Sequence, residues 1–96
     1  MKIYNLFRFV LTMALATVIG LTAAALTTSA TLPQAFKSWK TKKTDDLSFL
    51  MYLALTVGAL LWLVYGVLID DLPIMLANAF TFIQVSLVLG LKVKYG

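Results

Sequence analysis

Three long apolar stretches restrict what this chain can fold into more than any other feature of its sequence. Residues 9–36, 47–69 and 72–91 are apolar or small almost throughout. Each is long enough for a helix to cross the hydrocarbon core of a bilayer, which takes about 20 residues. Hydrophobic residues make up 61% of the 96 residues, and a chain this short has too small an interior to bury them away from water. The pattern therefore predicts an all-α membrane protein, a bundle of three transmembrane helices.

The three spans define a single transmembrane domain over residues 1–96, expected at about 13–36, 47–69 and 72–91. The first apolar stretch exceeds the length of one span, so either the first helix protrudes or the protein begins later, with Met13 as an alternative start. We interpret residues 1–12 as an N-terminal extension. A cleaved secretory signal is a rival interpretation, because small residues stand near position 30. The length of the stretch and the two spans that follow it disfavour cleavage.

Basic residues stand at the ends of the spans and predict the orientation. The loop 37–46 and the C-terminal tail together hold six lysines, whereas the N-terminal end has Lys2 and Arg8, and the corner between the last two spans has Asp70 and Asp71. The positive-inside rule places the loop and the C-terminus in the cytoplasm and the N-terminus outside. Positive charge at span edges is typical of membrane topology, so nucleic acid is not an expected partner.

Several absences narrow the function. The chain contains no Cys, His or Glu, which removes thiolate metal sites and the commonest general base. We expect no metal, no cofactor and no enzymatic activity. No acidic residue or His lies within a span, so a buried proton relay lacks its usual groups.

A tryptophan and an asparagine are predicted to lie at one depth. Trp62 precedes Asp70 by eight residues and Asn78 follows Asp71 by seven, which at the rise of a helix is ~12 Å and ~10 Å from the corner. An aromatic plate and an amide at one level suit a small polar molecule with an apolar face, such as a sugar. The alternative is structural: Trp62 packs between helices, and Asn78 makes an interhelical hydrogen bond worth ~1 kcal/mol.

The first span carries a face of small and polar residues at helical spacing. This face is either a packing seam or the lining of a polar path, and the seam is favoured from sequence alone. Pro33, which cannot donate to the carbonyl of Ser29, is expected to bend the helix close to this face or to end it. The residues on the face are Gly20, Ala23, Ala24, Thr27, Thr31 and Gln34.

These motifs, in this order, resemble a known family. The sequence Leu32-Pro33-Gln34, a basic loop, Trp62-x-x-Tyr65-Gly66, Asp71-Leu72-Pro73 and finally Asn78 is similar to bacterial SemiSWEET sugar transporters, half-size relatives of the SWEETs in the PQ-loop group. The resemblance covers about residues 18–91. SWEETs are built from parallel repeats related by an axis along the membrane normal.

The resemblance implies a parallel homodimer of six helices in the bacterial inner membrane, moving mono- or disaccharides by alternating access. Uniport is the simplest mechanism, because the spans lack the groups of a proton relay. It implies Trp62 and Asn78 as substrate-binding residues, and Pro33 with Gln34 as the hinge of the first helix. The other gating candidates are Tyr65, Asp70 and Asp71. A small membrane scaffold or assembly subunit is the alternative function, as is a PQ-loop carrier of another small polar solute.

Overall fold

The fold is a bundle of three helices, α1 (Ile3–Thr41), α2 (Phe49–Leu68) and α3 (Leu72–Tyr95). This computed structural model describes residues 2–96. All three helices are long and apolar enough to cross a membrane. The predicted all-α fold with three transmembrane helices is confirmed.

Helix α1 is longer than a single span requires. Its 39 residues at ~1.5 Å per residue reach ~58 Å, which accounts for the 60 Å long axis of the molecule. Residues 3–12, expected as an extension, continue this helix without a break. Pro33 lies inside α1 and does not end it. The helix stops at Lys42, a left-handed residue whose N–H donates to the carbonyl of Ser38 at 2.8 Å.

Side-chain caps fix the starts of the other two helices. Ser48 accepts a hydrogen bond from the backbone N–H of Met51 at 3.2 Å and caps α2. Asp71 accepts one from the N–H of Ile74 at 3.1 Å and caps α3. Each bond satisfies one of the N–H groups that the first turn of a helix leaves free. The corner between α2 and α3 is tight because Asp70 adopts a left-handed conformation, with φ of 56°.

Helix α3 lies between the other two and packs against both. In the part of the chain that the structure describes, the backbones of α1 and α2 do not pack against each other. Glycines permit the closest approaches: a Cβ at Gly20 would stand 2.7 Å from Cβ of Pro73, and one at Gly66 would stand 2.8 Å from Cγ2 of Ile74. Small residues bring helices together in lipid, where dispersion contacts hold the bundle.

The end of the bundle opposite the Asp70-Asp71 corner is held together by side-chain packing and one long-range hydrogen bond. Ala35, Tyr52 and Val88, one residue from each helix, form a buried cluster. Nζ of Lys92 donates to the backbone carbonyl of Thr44 at 2.9 Å and so joins the loop after α1 to α3. This end is therefore held by all three helices, whereas α1 extends alone past the Asp70-Asp71 corner.

Candidate functional site

A series of three cavities follows α1 from the acidic corner toward the lysine-rich end. The cavity at the Asp70-Asp71 corner, called the outer cavity, has a volume of about 400 Å³. The middle cavity has about 380 Å³, and the inner cavity, nearest the lysine-rich end, has about 260 Å³. Gly20, Pro73 and Ile74 line both the outer and the middle cavity. Thr27 lines both the middle and the inner cavity. Neighbouring cavities share lining residues, so the three adjoin one another along the bundle and are together called the groove.

The small and polar face of α1 forms one wall of this groove. Gly20, Ala23, Ala24 and Thr27 line the middle cavity, and Thr27 continues with the inner one. The same face also packs, because Gly20 closes directly onto Pro73. The two interpretations of this face are thus compatible: its glycine makes a helix contact, and its threonines border open space.

Trp62 and Asn78 line the same middle cavity. The Trp62 side chain is 55% exposed and meets the ring of Tyr65 edge-on, with ring centroids 5.6 Å apart. Nδ2 of Asn78 donates to the carbonyl of Ile74 at 2.9 Å. This bond fixes the amide within its own helix and leaves its carbonyl oxygen as an acceptor. The structure thus brings Trp62 and Asn78 to one cavity, and their role in binding stays a prediction.

The gating candidates fall into separate places. Asp70 and Asp71 line the outer cavity, where Asp71 is also the cap of α3. Tyr65 does not line that cavity; it borders a shallow depression with Leu61 and Trp62. The structure therefore places Tyr65 beside Trp62 and both aspartates at the outer cavity.

Pro33 and Gln34 lie near the inner cavity, and only Gln34 lines it. Pro33 is exposed on α1, and its missing N–H leaves the Ser29 carbonyl without its intrahelical donor. A helix lacking one such bond bends there at low cost. This is the local property that a hinge needs.

Gln84 and Tyr52 are polar residues of the groove that the sequence reasoning did not single out. Both line the inner cavity. The Gln84 side chain is 9% exposed; its Oε1 accepts from the Thr31 hydroxyl, and its Nε2 donates to the Thr28 carbonyl at 3.4 Å. The spacing could have indicated Gln84, because it follows Thr81 by three residues and so lies on the same face of α3.

The fold and the groove define a class: a multi-pass membrane protein with polar side chains along a groove. Residues 14–95 match the model of the family described as "Sugar efflux transporter for intercellular exchange". The chain is 46% identical over 78 residues to the sugar transporter SemiSWEET of Leptospira biflexa, covering 81% of this chain and 92% of that protein. It is 41% identical to the sugar transporter SemiSWEET of Bradyrhizobium diazoefficiens, covering 81% and 91% of the two chains.

Solved structures give the same family. A crystal structure of a bacterial homologue of SWEET transporters matches with a TM-score of 0.77 and 44% identity, over 85% of this chain and 99% of that one. A crystal structure of SemiSWEET in the inward-open conformation matches with a TM-score of 0.81 and 31% identity, over 84% and 87%. The chain belongs to the SemiSWEET family. This is a family of transporters, not of enzymes, and the resemblance of the sequence motifs is confirmed.

Proposed function

We propose that this chain transports mono- or disaccharides across the inner membrane by alternating access, as a uniporter. The observation that carries the proposal is that Trp62 and Asn78 line one cavity in a bundle whose relatives are named sugar transporters. The indole offers an apolar plate to the C–H face of a sugar ring. The free carbonyl oxygen of Asn78 accepts from its hydroxyl groups, as specific polar groups do in mostly apolar sites.

The working unit in this proposal is a parallel homodimer. In one copy the groove is open along its length, and 55% of the Trp62 side chain is exposed. Three helices cannot surround a polar solute and shield it from lipid at the same time. A second copy related by an axis along the membrane normal covers the groove and supplies a second Trp62 and a second Asn78 to the same chamber.

Alternating access assigns roles to the two ends of the groove. At the inner end, the bend at Pro33 moves Gln34 toward or away from the axis. At the outer end, Asp70 and Asp71 line the mouth and close over the sugar, and Tyr65 contributes to this gate from its position beside Trp62. The N-terminus and this mouth face outward, and the lysine-rich loop with the C-terminus faces the cytoplasm.

Uptake by purified protein in liposomes tests the proposal. A panel of radiolabelled sugars is offered to wild type, Trp62→Ala, Asn78→Ala and a control, Leu68→Ala, whose side chain is 79% exposed. We expect flux of at least one sugar in wild type and the control, and at least a tenfold loss in the two site variants with the dimer intact. Absence of flux for every sugar, with Trp62→Ala breaking the dimer, would instead support a scaffold role.

A further inference from the structure

The inner cavity holds a second set of polar groups, distinct from Trp62 and Asn78. Its volume is about 260 Å³, and it lies between all three helices. Ala35, Leu55 and Val88 contribute apolar walls. Sites for small molecules have this character: an apolar lining with a few polar groups that set orientation.

The polar groups of this cavity have unused hydrogen-bonding capacity. The Tyr52 side chain is 6% exposed, and its hydroxyl makes no hydrogen bond to any residue from 2 to 96 and is not sealed from solvent. The hydroxyl of Thr81 donates to the carbonyl of Ala77 at 2.8 Å, so its oxygen remains an acceptor. Gln34 adds an exposed carboxamide at the rim. One O–H donor, one hydroxyl acceptor and one amide complement the hydroxyl groups of a sugar ring.

Gln84 fixes the α1 wall of the inner cavity. It bonds the hydroxyl of Thr31 and the carbonyl of Thr28, so it ties the segment of α1 just before Pro33 to α3. Its position on α3 is six residues beyond Asn78, ~9 Å along the helix. Thr27 lines both the middle and the inner cavity, so the two cavities adjoin at this residue.

We infer that the inner cavity is a second sugar subsite, which binds the second ring of a disaccharide whose first ring lies between Trp62 and Asn78. The inference rests on the proposed function and narrows its substrate class to disaccharides. Tyr52 donates to the second ring, Thr81 accepts from it, and Gln84 positions the α1 wall. A monosaccharide held at Trp62 and Asn78 leaves these groups unused.

Equilibrium binding to the purified wild-type dimer tests the subsite. The probes are glucose and three disaccharides that contain it: maltose, trehalose and sucrose. Tyr52→Phe removes only a hydroxyl group, and Thr81→Val replaces a hydroxyl by a methyl group. Thr22→Val is the matched control, because Thr22 also donates to the carbonyl four residues before it, at 2.8 Å, and lines none of the three cavities.

We expect at least one disaccharide to bind wild type about tenfold more tightly than glucose. Tyr52→Phe and Thr81→Val should each weaken that binding about five- to tenfold, the effect of one lost hydrogen bond, and change glucose binding less than twofold. Thr22→Val should change neither.

Disaccharides that bind no more tightly than glucose overturn the inference, as do site variants that weaken both sugars equally or neither. If glucose is still transported in those cases, the proposed function stands and only the subsite fails. If no sugar binds and none is transported, the proposed function fails with it.

Discussion

Substituting Gly66 tests how the helix packing places the indole opposite the amide. Gly66 is buried near the end of α2, one turn beyond Trp62. A Cβ there would lie 2.8 Å from Cγ2 of Ile74 and 3.2 Å from the backbone nitrogen of Met75. The side chain of Ile74 can rotate, but the backbone of α3 cannot give way without moving the helix. Gly66→Ala is therefore expected to force α2 away from α3 beside the middle cavity.

The magnitude follows from two opposing effects. Overpacking of this kind typically costs about 1–3 kcal/mol, whereas Ala in place of Gly inside a helix contributes up to about 1 kcal/mol. The expected net loss of stability is about 0–2 kcal/mol. Gly90→Ala is the matched control, because nothing lies within 4 Å of a Cβ at Gly90 in α3. That variant keeps the gain without the clash, so it should be neutral or more stable by up to about 1 kcal/mol.

Unfolding of purified protein in mixed micelles with increasing denaturing detergent, followed by circular dichroism, measures both variants. Sugar binding measured on the same samples should be weaker for Gly66→Ala, because Trp62 moves relative to Asn78, and unchanged for Gly90→Ala. Equal stability of the two variants would show that α2 and α3 are not in close contact at Gly66, and the reasoning would be refuted.

Four further outcomes concern the hinge, the corner and energy coupling. Pro33→Ala restores a donor to the Ser29 carbonyl, so sugar exchange across liposomes should slow severalfold while equilibrium binding changes less than twofold; unchanged exchange would argue against a hinge. Asp71→Ala removes the cap of α3 and should cost about 0.5–2 kcal/mol in detergent unfolding, whereas Asp71→Ser should recover most of it; equal loss in both would mean that the cap does not matter. Asp70→Gly relieves a left-handed residue and should raise stability by about 1 kcal/mol, and a loss would show that its side chain stabilises the corner. Sugar uptake should proceed without proton movement in a pH-sensitive dye assay, and stoichiometric proton flux would refute uniport.

Much of the site was predictable because the corner fixes a common origin for two helices. Once Asp70 and Asp71 mark the turn, the number of residues to Trp62 and to Asn78 sets their depth, and the structure places both on one cavity. Residues at equal distances from a tight turn lie at similar depth when the two helices pack antiparallel. The three-helix bundle was predictable from the lengths of the apolar stretches and the positions of the charges between them.

The inner cavity was less accessible to the same reasoning. It depends on which residues of α1, α2 and α3 meet, and sequence spacing gives the faces of one helix but not their contacts with another. Tyr52, for example, packs with Ala35 and Val88 from the other two helices, a contact that spacing along α2 does not reveal. The continuation of α1 through residues 3–12 was one of two alternatives, and span length could not decide between them, because it limits what crosses the membrane and not how far a helix continues beyond it.

Cysteine accessibility at Thr27 tests the central claim most directly, because the chain contains no other cysteine. Thr27 lines both the middle and the inner cavity, and its neighbour Leu26, 67% exposed, lies outside the three cavities of the groove. We predict that a water-soluble maleimide labels Thr27→Cys in the reconstituted dimer, that a transported sugar slows this labelling severalfold, and that Leu26→Cys labels slowly with or without sugar. Equal labelling at the two positions, or labelling at Thr27→Cys that no transported sugar affects, would contradict a shared water-filled chamber between two copies.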